Sequence, residues 1–286
     1  MINIEDWAAG GAMIDWRGRR IHVRACGSGD PLLLIHGFPS SSLDWHLLQR
    51  ELTDRFRLIS FDMLGFGLSD KPLDGDYRIS AQADLTEAVL EHFGVQRCRV
   101  LAHDYGDTVA QELLARQIEG RSRKSMQQLC LLNGGLFPET HRPRLVQTLL
   151  ASPLGPLITR LIRYPRFAAS MRQICSPSLD ESDVQSMWAL IEHKHGRRPM
   201  PKLIGYMAER KRQRERWVGA LQRSPIPLRM INGIDDPISG LHMVQRYRAL
   251  VAAADVVELA GIGHYPQLEA PAAVASALIE FLDTAG

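Results

Sequence analysis

Continuous apolar runs separated by helical patterns constrain this chain more than any other feature. PLLLIHGF (31–38), RFRLISFD (55–62), RCRVLAH (97–103) and SMQQLCLLN (125–133) carry neighbouring rather than strictly alternating apolar residues. A strand that presents apolar side chains on both faces has to be covered on both, as in the parallel sheet of an α/β domain. The stretches between them have helical spacing. SSSLDWHLLQREL (40–52) starts with serines placed to cap it, and ISAQADLTEAVLEHFG (79–94) ends on Gly94 as a C-terminal stop. RIHVRA (20–25) reads as the opening strand. TVAQELLARQIEG (108–120) leads into the SMQQLCLLN strand; the alternation then lapses, and resumes with IPLRMING (226–233), LHMVQRYRALV (241–251), DVVELA (255–260) and PAAVASALIEFLD (271–283). Repeated β-α units predict a mostly parallel central sheet with helices on both faces.

Between about Leu136 and Arg223 there is no strand-like run, only short helical stretches broken by prolines. This segment holds sixteen Lys and Arg against seven Asp and Glu, whereas the rest of the chain is acidic by a similar margin. The expected organisation is therefore one core domain, 1–135 with 224–286, carrying an inserted helical cap, 136–223. RKRQRERW (210–217) reads as a solvated helix face.

A net charge of +2 gives no argument for a nucleic-acid partner. No stretch approaches the roughly 18 apolar residues of a membrane span, and MINIEDWAAGG lacks the pattern of a signal peptide. Cys26, Cys98, Cys130 and Cys175 are scattered without metal-ligand spacing. The expectation is a cytoplasmic protein with reduced cysteines, no metal and no cofactor, for which a homodimer is left open.

The chemistry concentrates at predicted strand ends, where open α/β sheets place their sites. LAHDYGDTVAQ (101–111) has the outline of a strand–turn–helix elbow whose central position is Asp104 rather than serine. Asp236 follows a later strand in INGIDDP, and His264 follows the last strand in GIGHYPQLE. Nucleophile, acid and histidine thus occur in the order of a hydrolase triad on this kind of sheet. HGFP (36–39) stands where an oxyanion-hole amide is supplied. Each feature alone has an ordinary reading as a turn or a packed side chain; together, in order, they point to catalysis. A carboxylate ahead of a helix stays ionised in the helix's positive field and can attack an sp³ carbon to form an alkyl ester. His264 would then activate water and Asp236 would orient it, with backbone N–H groups of Phe38 and Tyr105 holding the oxyanion. Asp235 competes with Asp236 for the orienting role, and Asn133, at the end of the strand after the elbow, cannot take it.

HGFP, DMLGFGLSDKP (62–72), HDYGD (103–107), GIDDP and GIGHYP resemble α/β-hydrolases with an aspartate nucleophile, chiefly epoxide hydrolases and haloalkane dehalogenases. HDYGDTVAQELLAR, LCLLNGGLFPETHRPRL, RWVGAL and HYPQLE are similar to the mesoderm-specific transcript family, an epoxide-hydrolase-like branch. The resemblance implies the α/β-hydrolase fold and Asp236, by the spacing from Gly233 to Pro237. It also implies a pair of cap tyrosines that assist departure of an epoxide oxygen. The insertion holds two, Tyr206 and Tyr164, of which Tyr206 is the better match. Two departures stand out. Leu64 replaces the arginine many relatives carry in the 62–69 loop. Phe38 and Tyr105 replace the Asn and Trp with which dehalogenases hold a leaving halide.

The reading is a cofactor-independent hydrolase that takes a small apolar epoxide to a diol, with Phe38, Tyr105, Trp45 and Trp188 as pocket residues. A haloalkane dehalogenase and a non-catalytic ligand-binding protein on the same fold are the alternatives. His141, His193 and His195 are expected to be structural or exposed, and His103 to turn from the pocket.

Overall fold

The computed structural model describes residues 4–284. Eight strands form one sheet: β1 (Ala12–Trp16), β2 (Arg19–Cys26), β3 (Asp30–Ile35), β4 (Phe56–Phe61), β5 (Arg97–His103), β6 (Ser125–Leu132), β7 (Leu228–Gly233) and β8 (Asp255–Leu259), in the order β1-β2-β4-β3-β5-β6-β7-β8. β3 to β8 run parallel, and β1 and β2 join antiparallel at one edge. RIHVRA is therefore the second strand, not the first. β1 is short and mostly exposed, which is why AMIDW carries no periodic signal. Its hairpin turns on Arg17 and Gly18, both at positive φ.

The apolar runs behave as their composition requires. Leu32, Leu34, Leu101 and Ile231 meet helices His46–Leu52 and Pro271–Asp283 on one face. Leu33, Val100, Leu129 and Met230 meet helices Ile79–His92, Tyr105–Ile118 and Leu241–Leu250 on the other. Each fully buried leucine contributes roughly 1.5–3 kcal/mol of transfer free energy.

The chain runs from β3 outward to β4, then returns to place β5 on the other side of β3. That reversal opens a crevice at the carboxyl ends of β3 and β5, where sheets of this type bind ligands. Phe38 and Asp104 follow those two strands. Between β6 and β7 lie short helices from Leu145–Leu150 to Arg214–Gln222. The last of these packs against core helix Tyr105–Ile118, and its buried Trp217 donates to Glu112 Oε2 at 2.8 Å. No helix among the described residues is long and apolar enough to cross a membrane.

Candidate active site

Asp104 sits between β5 and helix Tyr105–Ile118 at φ 46°, ψ −101°. A non-glycine residue there stores roughly 1–3 kcal/mol of strain, so its surroundings must hold it. Its N–H donates to Leu132 O at 3.1 Å. The helix start presses onto β3: a Cβ at Gly106 would lie 2.2 Å from Ile35 O, and one at Gly37 only 2.6 Å from His103 Nδ1. The small residues around the aspartate therefore allow the close approach that fixes the elbow.

The Phe38 N–H donates to Asp104 Oδ2 at 3.2 Å, so one carboxylate oxygen already occupies the expected oxyanion position. The unpaired first amides of the following helix lie beside it. On the far side of β6, His264 Nδ1 is 2.7 Å from Asp236 Oδ2. Asp236 is held by the N–H groups of Ile238 (2.7 Å) and Ser239 (3.1 Å), by Ser239 Oγ (2.7 Å) and by Asn133 Nδ2 (3.0 Å). Burial alone would raise the Asp236 carboxyl; His264 and these donors outweigh it and hold it down at about 2. Burial alone would lower His264, but the Asp236 charge and hydrogen bond, helped by the Asp104 charge, raise it to about 9.

Asp235 is exposed, and of the two only Asp236 pairs with His264. Asp236→Asn should lower turnover by about 10⁴-fold, and Asp235→Asn should leave it unchanged. Steady-state rates of the two purified variants check this.

The chain matches the Alpha/beta hydrolase family over residues 32–277. It is 41% identical over 295 aligned residues to the Mesoderm-specific transcript protein of Mus musculus, covering 98% of this chain and 88% of that one. The chain belongs to the α/β-hydrolase family. The epoxide hydrolase CorEH has the same fold, with a TM-score of 0.79 at 19% identity over 96% of this chain and 98% of its own. So does the haloalkane dehalogenase DbeA-M1 loop variant from Bradyrhizobium elkanii, with a TM-score of 0.79 at 20% identity over 96% of each chain.

In this α/β hydrolase a cavity of about 410 Å³ runs between cap and core. Phe38, Phe167, Met171, Trp188, Ile238 and His264 contribute to its walls. Arg144, Leu145, Leu161 and Arg166 line it too, and both leucines are exposed, which marks them as the mouth. Among the described residues no group of three or more His, Cys, Asp or Glu is arranged to hold a metal ion.

The expected pocket residues divide. Phe38 and Trp188 line the cavity. Trp45 does not: it is fully buried beneath the opposite face of the sheet, among Leu32, Leu34 and Leu48. Helical spacing puts it on the inward side of its turn, so it packs the core. The Tyr105 side chain is also fully buried, and its hydroxyl points to Tyr77 O at 3.4 Å. Tyr105 thus offers a main-chain amide at the elbow but no side-chain donor there.

The cap tyrosines part company. Tyr206 is fully buried, its ring centroid 4.9 Å from that of Tyr105 and 6.2 Å from that of Phe38, and its hydroxyl has no hydrogen-bond partner. Tyr164 turns outward, donating its hydroxyl to Glu181 at the cap surface. Pro165 of LIRYPRF lies in the first turn of a new helix there, and Tyr164 sits at its solvent end. It is not part of the site.

RKRQRERW is not a solvated face throughout. Arg210 is 2% exposed, donating from Nε to Thr108 Oγ1 at 2.7 Å and from Nη2 to Asp104 O at 3.0 Å. The same Nη2 stands 3.7 Å from Asp104 Oδ1. Its guanidinium carbon lies 4.5 Å from the Tyr206 ring centroid. Arg214 and Arg216 meanwhile pair with Glu139, Glu112 and Glu119. The available sequence signal was the four-residue interval from Tyr206 to Arg210, which puts both on one side of a helix.

Glu269 was likewise unforeseen. Its carboxylate accepts from the N–H groups of Gly263 (2.8 Å), Tyr265 (2.7 Å) and cap residue Ser176 (2.6 Å), which fixes the histidine loop. His103 turns back as expected, its Nε2 2.8 Å from His264 O. His193 and His195 are exposed, whereas His141 tucks its Nε2 inside without a partner.

Proposed function

We propose that this α/β hydrolase is an epoxide hydrolase that works through a covalent ester on Asp104. The observation that carries the reading is an elbow carboxylate with one oxygen on the Phe38 amide and the other 3.7 Å from the buried Arg210 guanidinium. In the first half-reaction Asp104 Oδ1 attacks an epoxide carbon in line, the ring C–O bond breaks, and its electron pair goes to the ring oxygen. Tyr206 donates its phenolic proton to that oxygen. In the second half His264 takes a proton from water, and the hydroxide adds to the Asp104 ester carbon. The amides of Phe38 and Tyr105 hold the oxyanion; its collapse expels the diol oxygen, which is reprotonated from the imidazolium.

The apolar cavity favours an apolar epoxide. A halide leaving group finds less support, because Phe38 has no side-chain donor and the Tyr105 hydroxyl is engaged at Tyr77 O.

A single turnover with excess enzyme and styrene oxide in ¹⁸O-water tests the route. Label is expected in the Asp104 carboxylate, read by peptide mass spectrometry, with unlabelled first-turnover diol. Label found only in the diol would mean direct attack by water. Bromide release from 1-bromobutane without diol formation from styrene oxide would favour dehalogenation instead.

A further inference from the structure

The site contains two buried ion pairs, and only one has a role in the reaction just described. Asp236 and His264 make the first. Asp104 and Arg210 make the second, at 3.7 Å, with side chains about 5% and 2% exposed. A buried guanidinium is costly unless it stays paired. Yet the first half-reaction turns Asp104 into a neutral ester, which removes the partner. The negative charge does not vanish: it moves to the departing oxygen, beside the carbon that Oδ1 has attacked. Arg210 is already adjacent to that oxygen's origin, and its Nη2 carries a second N–H beyond the one given to Asp104 O.

We propose that Arg210 is a catalytic residue that hydrogen-bonds the departing oxygen together with Tyr206, filling the place of the second cap phenol. The inference rests on the covalent-ester reading above. The guanidinium keeps its protons and stabilises charge; Tyr206 supplies the proton. The bond made is Asp104 Oδ1–C, the bond broken is C–O, and the phenolic proton ends on the product oxygen. The tyrosinate left behind is paired with Arg210 until the second proton of the water, left on the Asp104 carboxyl when the ester collapses, returns to it and restores both phenol and carboxylate.

Three further observations fit this role. Tyr206 and Arg210 are stacked on one helix, so the donor pair is prealigned. Burial pushes the Tyr206 phenol up, the Asp104 charge pushes it higher, and Arg210 opposes both. Esterification cancels the Asp104 contribution and leaves that of Arg210, so the phenol becomes more acidic as the oxygen needs its proton. Finally, a Cβ at Gly135 would fall 2.2 Å from Arg210 Nη1, so the glycine leaves room for the fork.

The test uses a His264→Gln background, in which the ester accumulates and its rate of formation is read by quenched-flow mass spectrometry. Adding Arg210→Met should slow ester formation from styrene oxide by about 10²–10³-fold, the usual effect of removing one oxyanion donor. Adding Gly135→Ala, which displaces the guanidinium but keeps its charge, should slow it about tenfold, within that same class of effect. Thermal melts and circular dichroism establish that both variants are folded; the glycine variant serves if the methionine one is not. If Arg210 were only a resting counter-ion, its removal would free the carboxylate and ester formation would accelerate. An unchanged or faster rate in either folded variant overturns the proposal. Failure of the parent reading looks different: no ester would form on Asp104 even with Arg210 in place.

Discussion

Asp104→Asn should abolish turnover, with a loss on the order of 10⁶-fold, and should also destabilise the fold. The chemical loss follows because an amide oxygen is a poor nucleophile and the ester cannot form. The loss of stability is less expected for a nucleophile held at φ 46°. Asparagine tolerates positive φ better than most residues, and relieving a sharp turn commonly stabilises. Two effects therefore oppose each other. The conformational gain is below ~1 kcal/mol, while stripping the partner from the buried Arg210 costs about 3 kcal/mol. The second wins. The net loss is then about 2 kcal/mol, and for a chain of this size the melting temperature should fall by about 4–8 °C. Differential scanning fluorimetry on Asp104→Asn and on Asp104→Asn/Arg210→Met would separate the two, since the double variant removes both charges and should recover most of the loss. A single variant as stable as the parent would mean the Arg210 charge is satisfied elsewhere.

His264→Gln should leave ester formation intact and slow ester hydrolysis by on the order of 10⁵-fold. The protein would then show one fast turnover and a mass increase equal to that of the substrate. Under the proposed mechanism the same residue sets the pH response of the native protein. Its raised value of about 9 means that the imidazolium predominates in the resting site at neutral pH, whereas hydrolysis of the ester requires the neutral ring. The hydrolytic half-reaction should therefore quicken as pH rises. It should level off below pH 9, because esterification removes the Asp104 charge that helps hold the proton on. Stability runs the other way. The His264–Asp236 pair contributes fully below the ordinary histidine value, and its contribution declines as pH rises through about 9. For Asp236, held at about 2, stabilisation is present above the ordinary aspartate value and is lost only as pH falls through about 2. Single-turnover decay across pH 5–10 and melting temperature across pH 2–10 check these limbs; a decay rate that does not change with pH would remove His264 as the base.

Main-chain architecture was readable because it repeats. Each buried parallel strand is forced to be apolar on both faces, so the runs ending at Ile35, Phe61, His103 and Leu132 announce themselves. Asp104, Asp236 and His264, the positions of the proposed triad, were picked out by a related signal, since each follows a strand of the same parallel sheet. What escaped was decided by the cap. Tyr164 and Tyr206 are both tyrosines among short, proline-broken helices, and only the packing of those helices turns one inward and leaves the other on Glu181. Arg210 lies in a run of like charges whose composition is that of a wet surface. Its burial depends on Thr108 and Asp104, roughly a hundred residues away in sequence. Trp45 shows the converse, a large aromatic near a pocket motif that the turn of one short helix assigns to the core.

The histidine loop has a tether that ties motion to chemistry. The N–H of His264 donates to Ile174 O at 2.9 Å, and Ile174 belongs to a cap helix. The neighbouring cap residue Ser176 shares the Glu269 carboxylate with the same loop. A cap that swung away to admit substrate or release diol would have to let go of the base's own backbone. In such a motion the proposed water-activating step would be disarmed while the cap is away and armed again as it returns.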